Sequence, residues 1–291
     1  MSNQTAGNRT VLYVSSAIVL LFVLFGMFLP NQMSDVVGKV FTFLTTQFGW
    51  LYLLSVGIFI VVTFGIALSR YGNIKLGKDD DKPEFSNFQW FAMLFGGGMG
   101  IGLVFWSVAE PIMHYLSPPV GKGGTEEAMH TAMRIVFFHW GVHAWVTFAI
   151  GGLALAYFQF RRGLPFLISS AFYPLIGERI YGPIGKAIDI LSVFATVFGV
   201  ATSLGLGSGQ IATGLQYIWG IQATPGTVSI IIAVMTIIFT LATVSGLQKA
   251  MQAAANIKVW LSVAFMVFIF IFGGSVSILN TFTDTLGAYL Q

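Results

Sequence analysis

The feature that most constrains this chain is a succession of apolar stretches, each long enough to cross a lipid bilayer. A spanning helix needs ~20 mostly apolar residues. Such stretches fall at 11–29, 45–69, 88–117, 130–160, 187–220, 227–245 and 257–280. Hydrocarbon offers the backbone no hydrogen-bond partner, so these stretches must satisfy themselves as helices. Only 9% of the 291 residues are charged, where a soluble domain has about 25%. The reading is an all-α integral membrane protein with about seven transmembrane helices. The first stretch is too long for a cleavable signal and lacks a small-residue cleavage site, so it reads as a retained helix. With no cysteine in the sequence, disulfides, thiol catalysis and thiolate metal sites are excluded.

Lysine and arginine set the expected orientation, because cytoplasmic loops carry the excess of positive charge. With the amino terminus inside, Arg9, Arg70, Lys75, Lys78, Lys82, Arg161, Arg162, Arg179, Lys186, Lys249 and Lys258 all fall on the cytoplasmic side, eleven of fourteen. Lys39, Lys122 and Arg134 fall outside. Residues 163–185 carry too many prolines and glycines to span, and read as a cytoplasmic interfacial helix. The inner loop at 70–87, with Asp79, Asp80 and Asp81 among its lysines, reads as a solvated linker. Residues 281–291 read as a short amphipathic segment on the outer face. The third to seventh helices are richer in glycine and polar residues than the first two. This divides the chain into a two-helix prefix (1–87) and a five-helix functional unit (88–280).

The third helix contains GGGMGIG, five glycines in seven residues from Gly96 to Gly102. Each glycine costs close to ~1 kcal/mol relative to alanine in a helix interior, so the helix should weaken there. Unwound backbone in a membrane must be buried or line a cavity, and secondary transporters use it to hold ions and polar substrate groups. Close helix packing through small residues is the competing explanation. It needs a glycine on one face, whereas these lie on all faces, so the binding-site reading is favoured.

In the fourth helix, FFHWGVHAWVTF places Trp140 and Trp145 five apart and His139 and His143 four apart, on neighbouring faces. Aromatic rings can cage a quaternary ammonium by cation–π attraction. An interfacial aromatic belt is the alternative, but these tryptophans lie one to two turns inside. The histidines have no third ligand nearby and read as satisfied core residues. In the fifth helix, Thr196, Thr202, Ser203 and Ser208 alternate with Gly199, Gly205, Gly207 and Gly209, which packing mostly explains. Glu110 and Asp189 read as close enough to an interface to be solvated. No nucleophile–base pair, phosphate loop or metal-ligand spacing is present, so an enzyme is not supported.

The run GGGMGIGLVFWSVAEPIMHYLSPP, followed by HWGVHAWVTF and ATVFGVATSLGLGSGQ, resembles the betaine/choline/carnitine transporters over nearly the whole chain. The resemblance implies a LeuT-type fold, with two leading helices followed by the first of two inverted five-helix repeats. It implies a bacterial inner-membrane carrier of trimethylammonium compatible solutes, commonly driven by sodium and often a homotrimer, with no cofactor and no nucleic-acid partner. Carried over, Gly96 and Met99 would offer carbonyls to one sodium, and Thr196 would ligate a second. Gly97, Gly98, Met99 and Gly100 would meet the substrate carboxylate. Trp140, Trp145 and Phe148 would form part of an aromatic box, with Ser203 close to the substrate.

The sequence also departs from the family pattern. Val200 stands where a two-sodium member has a second hydroxyl, and Phe148 where the glycine betaine type has tyrosine. The tryptophan-rich eighth helix that completes the box lies beyond residue 291. The expectation is therefore a fragment inactive by itself. Choline carriers tend to have an acidic residue at Gly102; a glycine there favours a zwitterion such as glycine betaine. Choline or carnitine carriage, or a non-transporting sensor or structural subunit, are the competing readings.

Overall fold

Apolar periodicity, glycine and proline set the element boundaries along this chain. The computed structural model describes the backbone of residues 2–244 and 248–291, and their side chains except at 2–8, 101–104, 242 and 248–251. Gly102 and Lys249 lie outside the residues whose side chains are described. The first helices are α1 (Ser2–Phe28) and α2 (Pro30–Leu68), joined through Leu29, with proline in the first turn of α2. That position suits proline, whose missing amide proton would have no partner there anyway. Then come α3 (Asn87–Gly98), α4 (Ile101–Leu116), α5 (Glu126–Trp140) and α6 (Val142–Ala156). A π-helical turn (Tyr157–Arg161), a 3-10 turn (Ile168–Phe172), α7 (Tyr173–Ile176) and a second 3-10 turn (Gly177–Tyr181) follow. The chain continues as α8 (Pro183–Trp219), α9 (Pro225–Val244), α10 (Gln248–Phe272) and α11 (Ser275–Leu290).

Every regular element among the described residues is helical. Among the described residues, five helical spans are long and apolar enough to cross a membrane, in α1, α2, α5 with α6, α8 and α10. The sixth expected stretch is α9, whose described apolar part, Pro225–Leu241, is shorter. The third expected stretch is divided between α3 and α4, so neither half spans alone.

Several boundaries differ from the sequence reading. Helix α2 begins fifteen residues before position 45, because 30–44, polar at its start and mixed with Gly38 and Lys39 thereafter, is still helix-compatible; there Lys39 donates to Asp35 one turn back at 2.7 Å. The 163–185 segment is not one helix but two 3-10 turns around a single α turn. Gly177, at φ +56°, ends that turn in a conformation L side chains rarely adopt. The last apolar stretch is also redistributed. Helix α10 runs from Gln248, and α11 starts at Ser275 rather than 281 after Gly274 turns the chain at φ +85°.

The chain forms two compact units. The first comprises residues 1–81 and 140–199. In it α2 packs on α6, and Phe22 of α1 stacks edge-on against Phe198 at 4.3 Å between centroids. The 163–185 segment is pinned by buried Asp189, which accepts from the Ser169 amide at 3.1 Å and the Ser169 hydroxyl at 3.0 Å. Asp189 is thus buried and structural, not solvated. The 70–87 loop is also held: Arg161 donates to Asp79 Oδ1 at 2.6 Å and to the Gly77 carbonyl at 3.1 Å.

The second unit comprises residues 82–139 and 200–291. Its core is the contact of α3 with α10, where Ala92, Ala255 and Val259 are buried together. Helix α3 starts with a capping box: the Gln89 amide donates to Ser86 Oγ, and the Ser86 amide donates to Gln89 Oε1. Helix α11 docks on α5 through Phe137, whose ring lies 5.6 Å from Phe282.

Candidate functional site

The glycine run ends one helix and starts another. Helix α3 stops at Gly98, Met99 and Gly100 leave the helical region (φ −109°, ψ 84° and φ −96°, ψ −122°), and α4 resumes at Ile101. An α-helix leaves its last four carbonyls and first four amides without internal partners. The break therefore presents carbonyls from α3 on one side and amides from α4 on the other, and the helix dipoles add negative and positive character respectively. Such a break can hold a cation and an anionic group close together.

Two of the α3 carbonyls are taken. Phe95 O accepts from the Met99 amide at 2.8 Å, and Gly96 O accepts from the Lys258 ammonium of α10 at 2.8 Å. The sequence reading counted Lys258 on the cytoplasmic side, at the very start of the 257–280 stretch; it lies further in, within the apolar span Gln252–Phe272. The approach is close because residue 96 is glycine: a β-carbon there would sit 3.3 Å from that of Ala255. Gly97, Gly98 and Gly100 are exposed, and Met99 is half-buried.

The aromatic residues gather around a second break. Helix α5 ends at Trp140 and α6 begins at Val142, with Gly141 extended between them (φ −91°, ψ −151°). The Trp145 indole donates to the Trp140 carbonyl at 2.9 Å, which helps to satisfy the end of α5. The rings of Trp145 and Phe148 lie 5.5 Å apart, tilted by 39°. Trp140, Trp145 and Phe148 thus form one cluster in the first unit, while the glycine break belongs to the second.

On α8, Thr196 and Ser203 are both exposed. Thr196 donates back to the Ser192 carbonyl at 2.8 Å, and buried Ser208 to the Leu204 carbonyl at 2.7 Å. This is the usual way for a helical hydroxyl to satisfy itself.

One constellation was missed in the sequence. Glu110 is buried, at 5% exposure, and its Oε1 lies 2.8 Å from His139 Nδ1 and 3.6 Å from His114 Nε2. With Trp106 and Met113 these side chains line a cavity of about 720 Å³. Glu110 is therefore not solvated at an interface, and His139 is not a core histidine. The i, i+4 spacing of Glu110 and His114 carried the signal for half of this cluster. Among the described residues, no group of three or more His, Cys, Asp or Glu is arranged to hold a metal ion.

Comparison with known proteins decides the family. Residues 10–291 match the model of the betaine/carnitine/choline family transporters.

The chain belongs to the betaine/carnitine/choline transporter family.

As a member of this family it is a multi-pass membrane protein of the transporter class rather than an enzyme. It is 80% identical over 283 residues to a protein of Desulfitobacterium hafniense (strain Y51) named a probable glycine betaine transporter. The match covers 97% of this chain and 57% of that protein. It is 47% identical to the glycine betaine transporter OpuD of Bacillus subtilis, over 97% of this chain and 55% of OpuD. Against a high-affinity choline transport protein of Escherichia coli the identity is 39%, over 98% of this chain and 42% of that protein. The chain thus spans little more than half the length of the first two of these relatives and less than half of the third.

Proposed function

We propose that these residues belong to a secondary transporter that takes up glycine betaine with sodium. The observation that carries this reading is the break at Met99–Gly100. A zwitterion brings a carboxylate for the amide end of α4 and a trimethylammonium for an aromatic cluster. The carbonyls at the end of α3 and in the break suit a small cation. Gly96 and Met99 are the proposed sodium ligands, Gly97, Gly98, Met99 and Gly100 the proposed carboxylate site, and Trp140, Trp145 and Phe148 the proposed ammonium box, with Ser203 beside the substrate. Thr196 is the proposed ligand of a second sodium. Its hydroxyl has only Val200 four residues on, so the single break site is the stronger of the two. The names of the 80%- and 47%-identical relatives support glycine betaine as the substrate. Gly102 supports it over choline, which would want a countercharge that glycine cannot supply.

The proposed frame is a LeuT-type fold with a cytoplasmic amino terminus. Two leading helices precede a five-helix unit over 88–280, with 163–185 at the cytoplasmic interface, in a bacterial cell membrane and as a homotrimer. The test uses the full-length polypeptide in proteoliposomes. Betaine uptake should require an inward sodium gradient. Trp140→Leu should weaken betaine binding by roughly thirtyfold, the equivalent of the ~2 kcal/mol a desolvated cation–π contact provides. Unchanged affinity in that variant removes the aromatic box from the model. Choline binding tighter than betaine removes the substrate assignment.

A further inference from the structure

Lys258 is an ammonium within a membrane-spanning helix, where an unpaired charge is costly and marks a functional position. It is half-buried, and among the described residues no carboxylate lies within ion-pair distance of it. Its hydrogen-bond acceptor is instead the backbone carbonyl of Gly96, at 2.8 Å. That carbonyl is free for two reasons. Helix α3 ends two residues later, at Gly98, and Gly100, which would have donated to it in a continuous helix, lies outside both helices. The carbonyl end of a helix carries partial negative charge that favours a cation. The lysine reaches it because Gly96, Ala92 and Ala255 let α10 approach α3 closely.

We infer that Lys258 is a tethered cation that competes with sodium for the Gly96 carbonyl. With sodium absent, the ammonium caps the carbonyl. A sodium ion bound at the break takes that oxygen and displaces the ammonium. The lysine therefore sets the apparent sodium affinity and prevents the carbonyl end of α3 from standing bare between transport steps. This rests on the assignment of sodium to the break.

The test compares sodium binding to the full-length wild-type polypeptide, Lys258→Met and Lys258→Arg, measured with radioactive sodium on detergent-solubilised protein. Lys258→Met keeps the length of the side chain and removes the competing charge, so sodium should bind roughly tenfold more tightly. Lys258→Arg keeps the charge and should bind no more tightly than wild type. Gel filtration and thermal unfolding check the fold, and Lys258→Gln replaces the methionine variant should that one fail to fold. Equal sodium affinity in the wild-type and uncharged proteins overturns the competition and reduces Lys258 to a helix cap, with sodium at the break intact. Sodium binding by wild type and uncharged variant alike being absent overturns the sodium assignment itself, and the competition with it.

Discussion

Asp189 and Glu110 are both carboxylates inside predicted spans, both buried, and they do different things. Asp189 receives two hydrogen bonds from a single residue, Ser169, twenty positions away in sequence. Those bonds tie the irregular 163–185 segment to the start of α8. Removing the acceptor leaves a buried amide and a buried hydroxyl unpaired, at about 1–3 kcal/mol for each group that water cannot reach. Asp189→Ala should therefore lower the melting temperature of the purified protein, whereas Asp189→Asn, which keeps one acceptor oxygen, should lower it less. Equal melting temperatures for wild type and Asp189→Ala would refute the anchoring role. Neither carboxylate's distant partner was readable from the sequence. Glu110 meets His139 across 29 residues, and no periodicity encodes which turn of one helix will face which turn of another.

At the scale of elements, the lengths of the apolar runs and the glycine cluster carried most of the information. The break in α3–α4 falls inside GGGMGIG, because five glycines concentrate the helix penalty in less than two turns. The break at Gly141 was not foreseen; one glycine between two aromatic-rich turns looks tolerable until tertiary contacts reward the kink. The polar start of α2 was missed for the opposite reason, since lack of hydrophobicity argues against a span but not against a helix. The loop at 70–87 shows how a segment read as solvated can still be held. Asp79 has its carboxyl lowered from the usual 3.8, chiefly by the hydrogen bond from Arg161 and then by that residue's charge. A carboxyl depressed in the folded state adds stability at pH values above 3.8, and that contribution is lost as pH falls through the folded value. The pair is largely exposed, so its contribution is small and sensitive to salt. Proteolysis of the 70–82 loop should accelerate as the pH drops well below 3.8. In Arg161→Ala it should already be fast at neutral pH. Cleavage rates that do not differ between the two proteins at neutral pH would show that the ion pair does not order the loop.

For the molecule as a whole, charge asymmetry gives a topology that can be checked with little interference, because the sequence contains no cysteine. Lys75→Cys and Lys122→Cys each introduce a single thiol. With the amino terminus inside, a membrane-impermeant maleimide should label position 122 in intact cells and position 75 only after the membrane is opened. The reverse pattern would invert the proposed orientation. The bilayer also explains why so many large apolar side chains of α1, α2 and α10 are exposed: Phe41 at 66% and Leu261 at 65% suit contact with acyl chains rather than with water. What the sequence could not reveal at this scale was how far in Lys258 lies, since a place at the cytoplasmic edge of the 257–280 stretch satisfied the orientation rule equally well. The start of α10, ten residues earlier, sets it further inside the helix than that stretch implied.

The closeness of Gly96 to Ala255 reaches beyond the local contact. A methyl group added at 96 would press on the methyl at 255 at 3.3 Å, so the two positions share one volume. A larger residue can enter at either only where the other gives way. Bulk at the two sites is therefore a single choice made in two places, and the lysine one turn further along α10 takes its reach from that choice.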